Sequence, residues 1–384
     1  MNIYFLSDQF FPRTSADSEQ IVSSLSGLEA SNQVSLVSSR YKNKPSISIK
    51  ELNAYYKTKG NFNLAFVSYW FKSIRGVEKV LFAWSAIKVL KRSKPDVVIT
   101  RNIPVLMAVL LQTNIPVAFE SYRPWPSRNI FAKKFFQKLA NKNQLLGIIL
   151  HSKFAGESFK SVGFTEQSLL VAHNAFDSKE FYIEGLSLLQ IREKYDLPKD
   201  KFIVTYSGRV SPQKGLFRLI KLALAFPDVQ FVIIGVEGDG EGKVENEARK
   251  LHNIKLIGWL DRREVFQILR ASDILYIPTS LTAREKAGNT VLPLKTFMYK
   301  ASGTAILGPD IDDVKEVLTH SENAFLVKPD SFEDEKNGLN ELISDKNLRI
   351  KLGEKAKEEM DKLTWENRGR LITSFLQKRL KDLS

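Results

Sequence analysis

The chain has 384 residues, and its 43% hydrophobic and 26% charged content is typical of a folded globular protein. It contains no cysteine, which excludes a disulfide framework, a thiolate nucleophile and cysteine-based zinc sites. The first residues lack a basic stretch and a long apolar core, and no run approaches the roughly 18 apolar residues of a membrane helix. We therefore expect a cytoplasmic protein, and the length favours two domains.

The net charge of +14 is unevenly distributed along the chain. Residues 1–180 contain 24 lysines and arginines against 12 aspartates and glutamates, whereas the remainder contains 33 against 31. A basic half indicates an anionic partner, such as a membrane surface, a nucleic acid or a phosphorylated acceptor. The alternative is a surface that is merely well solvated. Because the chain has no recognised motif for reading bases, nucleic-acid binding is the weakest of these interpretations.

In the first half, short buried strands alternate with helical patterns, which predicts a parallel sheet wound by helices. The predicted strands are 2–7, 33–38, 96–100, 116–120, 147–152 and 168–174. The predicted helices are Glu19–Leu28, Gly76–Lys91, Ile103–Leu111 and Ile130–Leu139.

The second half repeats the pattern, so we predict an α/β protein with two successive doubly wound units. Its predicted strands are 201–208, 229–235, 254–258, 273–278, 304–308 and 324–328. Its predicted helices are Leu216–Ala225, Gly242–Leu251, Arg262–Ala271, Leu294–Ala301 and Asp313–Leu318, followed by a last helix from Trp365 to Leu380. A polar segment between Asn174 and Lys201 separates the halves, and we expect domains at 1–180 and 181–366.

The stretch VTYSGRVSPQKGL at 204–216 is the most informative motif. A buried strand runs into a turn with Gly208 and Arg209, and Lys214 precedes a predicted helix. Free N–H groups and the helix dipole favour anions at such a place, above all diphosphates. The alternative is a surface turn with two solvated cations.

Three further segments follow strands in the second half and are candidates for the same ligand. A glycine-rich acidic loop spans 235–242, where the backbone could approach a ligand closely or simply form a connector. Trp259 and Leu260 follow the next strand, where a base could stack. Leu294 and Lys295 begin a helix after Pro293, which adds N–H groups and a third cation, although a lysine there could also be solvated.

Together these segments resemble glycosyltransferase family 4, whose members have the GT-B fold of two facing Rossmann-like domains. The family has YVGRLSPEKG where this chain has YSGRVSPQKG, and SPLKLFEYMAAGKPVI where this chain has LPLKTFMYKASGTAIL. It has a strand followed by GDGP where this chain has IIGVEGDGEG. The resemblance covers most of the chain and is strongest from Val204 to Leu318.

The resemblance implies roles for individual residues. Arg209 and Lys214, with Gly208, would hold the diphosphate of a nucleotide-sugar donor, supported by the backbone around Leu292–Leu294 and by Lys295. The loop at Trp259 and Leu260 would contact the base. A sugar would move to an acceptor with retention of configuration, and cations and N–H groups would stabilise the leaving diphosphate without a metal or other cofactor. The helix at 367–384 would pack back on the N-terminal domain.

The chain also departs from the family at the donor site. Met298 stands where a glutamate usually binds the ribose hydroxyls, Thr290 stands at the first position of the Glu-x7-Glu pair, and Leu292 replaces a serine. The loop after the first strand contains no glycine. Asp239 and Glu285 are the acidic residues that could compensate. A second hypothesis is therefore a weakly active or inactive relative that acts as a binding or scaffold protein.

On the acceptor side, the catalytic candidate is Glu120, with Arg123 beside it at a predicted strand end. The alternative for this pair is an ion pair within the domain. His151 and His173 also end strands, and we interpret both as structural rather than catalytic.

Basic and aromatic residues alternate between Arg123 and Lys142, and the segment 68–84 has a similar composition. Such helices can lie at a bilayer surface, where anionic headgroups attract the cations. The alternative is an ordinary amphipathic helix whose aromatic rings pack inside the domain. The pattern suits a glycan or lipid-linked acceptor, cell-surface polysaccharide assembly, and peripheral contact with the inner face of the membrane.

Overall fold

The computed structural model describes residues 1–40, 46–68, 76–177, 181, 186–236, 242–281 and 292–383. The chain forms two compact units. Unit 1 contains residues 1–174 together with 364–384, and unit 2 contains residues 175–363. Among the described residues, no helix combines the length and the apolar character needed to cross a bilayer.

Unit 1 is built on a seven-stranded parallel sheet with the strand order β3-β2-β1-β4-β5-β6-β7. The strands are β1 Asn2–Phe10, β2 Gln33–Ser39, β3 Asn63–Val67, β4 Val97–Thr100, β5 Val117–Ser121, β6 Leu145–Leu150 and β7 Leu169–Val171. The helices are α1 Ala16–Leu28, α2 Ile49–Tyr56, α3 Val77–Ser93, α4 Ile103–Gln112, α5 Ile130–Leu139 and α6 Lys153–Lys160. The edge strand β3 was not predicted, because its residues are mostly half-buried or exposed and therefore lack a continuous apolar run.

The strand order assigns the helices of unit 1 to two faces. Crossovers between parallel strands are right-handed, so a connection that runs in one direction across the sheet puts its helix on one face. The chain moves one way from β1 to β3 and the other way from β3 to β7. Consequently α1 and α2 lie on one face, and α3 to α6 lie on the opposite face.

Unit 2 contains a six-stranded parallel sheet with the order β10-β9-β8-β11-β12-β13. The strands are β8 Ile203–Ser207, β9 Gln230–Val236, β10 Ile254–Gly258, β11 Ile274–Tyr276, β12 Ala305–Pro309 and β13 Phe325–Val327. The helices are α7 Leu188–Lys194, α8 Phe217–Ala225, α9 Lys243–Ala248, α10 Arg262–Ala271, α11 Lys295–Ser302, α12 Phe332–Ser344 and α13 Lys346–Glu359. The α/β prediction with two doubly wound parallel sheets is confirmed.

Two helical predictions for unit 2 need correction. The helix predicted at Asp313–Leu318 is wrong, because residues 312–317 form turns that bury Val314 and Leu318 in the core without a continuous helix. Helices α12 and α13 were not predicted, because their charged sequences leave few apolar positions to establish a helical period.

The last helix, α14, spans Trp365–Lys381 and belongs to unit 1, where it packs across α1. Glycines allow the two backbones to touch. A Cβ at Gly27 would lie 2.0 Å from the carbonyl oxygen of Trp365, and one at Gly369 would lie 2.2 Å from the carbonyl oxygen of Gly27. Any side chain at either position would therefore push the helices apart.

Candidate functional site

In unit 2, the sharp turn after β8 depends on Gly208. This residue has φ +131°, a conformation that side chains other than glycine rarely adopt. Its N–H donates a hydrogen bond of 2.9 Å to the carbonyl of Ile234 on the neighbouring strand. A Cβ here would lie 2.8 Å from the Nζ atom of Lys295. Gly208 thus brings the backbone of the predicted anion loop against the first residue of α11.

The ammonium of Lys295 lies over the ring of Tyr206, with its Nζ atom 3.7 Å from the ring centroid. The Tyr206 hydroxyl donates to the carbonyl of Arg209 at 2.9 Å, which fixes the turn next to the lysine. Burial, and then the charge of Lys214, hold the pKa of Lys295 well below its usual range. Within the described parts of the chain, no carboxylate pairs with Lys295. The ammonium of Lys295 therefore lies close to a second cation, Lys214, and has no carboxylate of its own among the described residues.

The side chains of Arg209 and Lys214 are exposed on the loop between β8 and α8. Lys214 ends a short 3-10 turn, Pro212–Lys214, that leads into the buried Leu216. All three cations named by the sequence analysis thus lie at the carboxyl edge of the sheet in unit 2, where parallel α/β sheets bind ligands.

The segment before α11 is fixed by a carboxylate. Leu292 is buried, and its N–H donates to Asp313 Oδ2 at 2.9 Å. That N–H is therefore engaged, which limits its predicted role as a diphosphate donor, and Pro293 has no N–H. The backbone donors that remain in this turn are those of Leu294 and the first residues of α11.

Met298 packs on the apolar cluster that includes Ile277, Tyr299 and Ile306. Its side chain is half-buried there, so an apolar contact occupies the position at which the resemblance implies a ribose-binding glutamate. The neighbouring Tyr299 accepts a hydrogen bond of 2.8 Å from the N–H of Ser207, which ties α11 to the end of β8.

Trp259 and Leu260 follow β10 and have different surroundings. The Trp259 side chain is 56% exposed. Leu260 packs on the apolar cluster of Ile203, Val232 and Ile234, and Asp261 caps α10 in a capping box with Glu264. Leu260 therefore anchors the loop, and Trp259 is the side chain with a face that a ligand can reach. The predicted sites at Thr290, Asp239, Glu285 and the glycine-rich part of 237–241 lie outside the described residues.

In unit 1, Glu120 lies at the end of β5, is 2% exposed and is surrounded by basic groups. Its Oε2 accepts from Arg101 Nε at 2.9 Å, and its Oε1 accepts from Arg368 Nη2 at 2.6 Å. Arg101 Nη1 also donates to Asp17 at 2.5 Å. Burial by itself would raise the pKa of Glu120, but the charges of Arg101 and Arg368 outweigh burial and hold the pKa well below its usual range. Glu120 therefore forms ion pairs within unit 1, the kind of contact left open as the alternative to a catalytic role, but its partners are Arg101 and Arg368 rather than Arg123.

His151, at the end of β6, completes this cluster. Its Nε2 lies 2.9 Å from Glu120 Oε1, so the neutral ring must carry its proton on Nε2 to donate to the carboxylate. Burial lowers the pKa of His151 to about 4, although Glu120 opposes that shift. The ring is therefore neutral at pH 7, in a structural setting.

The partners Arg101 and Arg368 were not predicted from the sequence. Arg368 lies on α14 and also donates to the carbonyl of Ala172 at 3.3 Å and to the hydroxyl of Ser24. No local signal marks such a residue, because its partners are far away in the sequence. For Arg101, the position directly after a predicted strand was the one feature of the sequence that could have indicated a role at this edge of the sheet.

Arg123 stacks on aromatic rings. Its guanidinium lies 5.2 Å from the ring of Tyr122 and 5.9 Å from that of Trp125, and Arg128 covers the same indole at 4.9 Å.

His173 follows β7. Within the described residues there is no group of three or more His, Asp or Glu side chains that could hold a metal ion.

Comparison with known proteins links this geometry to a family. Residues 189–359 match the family model described as glycosyl transferases group 1. The chain is 30% identical over 199 residues to a trehalose synthase of Pyrococcus horikoshii, which is 48% of this chain and 45% of that protein. It is 25% identical over 173 residues to a phosphatidyl-myo-inositol mannosyltransferase of Mycolicibacterium smegmatis, or 44% of this chain and 43% of that protein. The chain thus spans less than half the length of these curated relatives.

The fold extends the match over both units. The structure of Anabaena HepE in complex with UDP-glucose superimposes with a TM-score of 0.74. The alignment covers 98% of this chain and 99% of that one at 16% sequence identity. At this identity, the likeness shows the fold that the two proteins share.

Proposed function

Because the chain belongs to the group 1 glycosyl transferases, the retaining family 4 enzymes with the GT-B fold, we propose that it transfers a sugar from a nucleotide-diphosphate sugar to an acceptor. The acceptor would be a glycan or a lipid-linked molecule, and the configuration at the anomeric carbon would be retained. The observation that carries this proposal is the cluster of Lys295, Lys214 and Arg209 at the carboxyl edge of unit 2.

The proposed role of the cluster follows from its charge. A half-buried lysine with a lowered pKa beside a second lysine is unfavourable until an anion arrives. A donor diphosphate would supply that anion, and its negative charge increases as the bond to the sugar breaks. Cations already in place would stabilise this charge without reorganisation.

The transfer itself needs no protein base. The bond between the anomeric carbon and the donor phosphate oxygen breaks, and the acceptor hydroxyl oxygen bonds to that carbon on the same face. The hydroxyl proton goes to the departing phosphate. This scheme agrees with the buried and paired state of Glu120 and with a neutral, buried His151.

The remaining donor contacts are proposed from position. The exposed indole of Trp259 offers a face on which a base can stack. Met298 cannot accept hydrogen bonds from ribose hydroxyls, so the nucleotide would bind about one to two orders of magnitude more weakly than with a carboxylate there. HepE was crystallised with UDP-glucose, which makes uridine nucleotides the first to test.

The acceptor side is proposed from charge and from one relative. Unit 1 contains most of the excess positive charge of the chain, and the name of the Mycolicibacterium relative specifies a phosphatidyl-inositol acceptor. We infer a phosphorylated or lipid-linked acceptor used in cell-surface polysaccharide assembly, with unit 1 in peripheral contact with the inner face of the membrane.

Calorimetry with UDP, GDP and their sugars tests the donor site. Arg209→Ala and Lys214→Ala should each weaken nucleotide binding at least tenfold, because a charge-assisted contact contributes about 1.5–3 kcal/mol. Lys221→Ala is the matched control, since Lys221 is an exposed lysine on α8 outside the cluster. No binding of any nucleotide, or equal losses in all three variants, would refute the donor site.

A second candidate function is a binding or scaffold role without turnover, which the apolar packing of Met298 favours. In that case Met298→Glu should strengthen nucleotide binding, and the unmodified protein should release no nucleotide from any sugar donor in the presence of acceptors. Measurable turnover by the unmodified protein would exclude this candidate.

A further inference from the structure

Three exposed apolar side chains of unit 1 lie at the N-terminal ends of α5 and α6. Phe131 is 82% exposed, Ile130 is 56% exposed and Phe154 is 40% exposed. Large apolar side chains are seldom this accessible side by side unless they meet a partner.

Packing brings the N-terminal ends of α5 and α6 side by side. Strands β5 and β6 are neighbours, so the helices that follow them run in parallel on the same face of the sheet. The rings of Phe136 and Phe159 join the two helices in the core, with centroids 5.1 Å apart. Phe131 and Phe154 each precede one of these rings by five residues, so they lie at the same height along the two helices.

Lysines surround the exposed apolar side chains. Lys133, Lys134 and Lys153 are exposed, and within the described residues no carboxylate pairs with the first two. The acidic residue of these helices, Glu157, pairs with Lys160 at 2.9 Å one turn further on. The patch is therefore apolar at its centre and positively charged at its margin.

The structure also divides the basic aromatic segment predicted from the sequence. Phe136 and Leu139 are buried and pack the domain, whereas Phe131 points to the outside. The packing interpretation thus applies to Phe136 and Leu139, and contact with a bilayer stays a prediction for Phe131.

We propose that Ile130, Phe131, Lys133, Lys134, Lys153 and Phe154, here called the helix-tip surface, bind the headgroup region of an anionic lipid bilayer. Exposed aromatic and aliphatic side chains with lysines beside them suit the boundary between headgroups and acyl chains. Protein–protein interfaces, in contrast, are depleted in lysine. Helix α3 extends the same face of unit 1 with the exposed Trp84. The proposal rests on the proposed function only in that a lipid-linked acceptor would be reached from this surface.

Flotation with lipid vesicles tests the helix-tip surface. The full chain should float with vesicles of phosphatidylcholine plus phosphatidylglycerol, much less with phosphatidylcholine alone, and less at high salt. The variant I130S/F131S and the variant K133E/K134E should each reduce the partition coefficient by at least about tenfold, since close cations and buried apolar groups both contribute. Only the apolar variant should keep the salt dependence.

Two matched controls are available. Leu371→Ser removes a comparably exposed side chain from α14, on the other face of unit 1, and Lys221→Glu reverses a lysine of α8 in unit 2. Both should float like the unmodified chain, and circular dichroism should show that all variants are folded. Equal losses in the controls, or no flotation of the unmodified chain, would overturn the proposal.

Nucleotide calorimetry on the same proteins separates the two proposals. Nucleotide binding without flotation rejects the helix-tip surface and leaves the transferase function intact. Flotation without nucleotide binding supports the helix-tip surface and rejects the transferase function. A dimer that I130S/F131S converts to monomers, in a protein that ignores vesicles, would assign the surface to a second copy of the chain and reject the bilayer.

Discussion

Both sheets place charged groups at their carboxyl edges, but Glu120 in unit 1 is paired with arginines, whereas Lys295 in unit 2 has no carboxylate partner among the described residues. In unit 1, Arg101 and Arg368 enclose the carboxylate of Glu120, and a neutral His151 donates to it. In unit 2, within the described residues, Lys295 has only an aromatic ring and a second lysine as close charged or polarisable neighbours.

The difference indicates what each edge does. A buried carboxylate with arginines on both oxygens holds secondary elements together, and removing one partner leaves an uncompensated charge. A lysine beside a second lysine, without a carboxylate, stabilises nothing until a ligand brings negative charge. The same edge of the same kind of sheet can therefore serve the fold or the ligand, depending on whether its charges cancel.

The largest effect is expected for Arg368→Met. The variant leaves Glu120 with less compensation and Ser24 and Ala172 without their donor, so the unfolding free energy of unit 1 should fall by about 3–5 kcal/mol. Urea denaturation measures it. Arg370→Met is the control, because Arg370 forms an exposed pair with Glu366 and should change stability by less than about 1 kcal/mol. Similar losses of unfolding free energy in the two variants would contradict a structural role for the pair of Arg368 and Glu120.

Acid should destabilise unit 1 through His151. Its pKa is about 4 in the fold against 6.5 for an ordinary histidine. Between these values the unfolded chain binds more protons, so the unfolding free energy should decrease as pH falls from 6.5 to 4, by up to about 3 kcal/mol. The unfolding free energy, measured by denaturation at several pH values in this range, should lose most of its pH dependence in His151→Gln. It should keep that dependence in His252→Gln, which alters an exposed ring.

Lys295→Met should change binding and stability in opposite directions. Without this ammonium, nucleotide-diphosphate affinity should fall by about 100-fold, because a charge-assisted contact of roughly 2–3 kcal/mol is lost. The lowered pKa of Lys295 means that its charge opposes folding at pH values below that pKa, so the variant should have a higher melting temperature. Calorimetry and thermal denaturation measure the two effects, and lower stability with unchanged affinity would contradict both.

The smallest effect is a pH dependence of nucleotide affinity. A bound diphosphate should raise the pKa of Lys295, so binding takes up a proton once the pH exceeds the lowered pKa of the free site. Affinity should then decrease by at most about tenfold per pH unit, and the heat of binding should vary with the ionisation enthalpy of the buffer. Lys295→Arg should remove this dependence, because arginine stays protonated.

The strands and the local motifs could be predicted from the sequence, whereas the contacts between side chains far apart in the chain could not. The apolar strands established both sheets, and the spacing of Gly208, Arg209 and Lys214 indicated an anion loop. The contact of Lys295 with the Tyr206 ring, in contrast, joins two segments that only the sheet brings together. The neighbours of Glu120 likewise come from three separate elements, and a hydrophobic period gives no information on polar pairing.

Because the chain returns to unit 1 at Thr364, the two units complete their folding in a defined order during synthesis. The first 174 residues emerge with Glu120 lacking Arg368 and with the α1 face, including Gly27, not yet covered by α14. The ribosome must then translate residues 175–363, 189 codons in all, which takes roughly 10–40 s at about 5–20 residues per second. Unit 2 can complete its folding before unit 1 does. The nascent chain therefore exposes an apolar helix face for many seconds, and the domain made first is finished last.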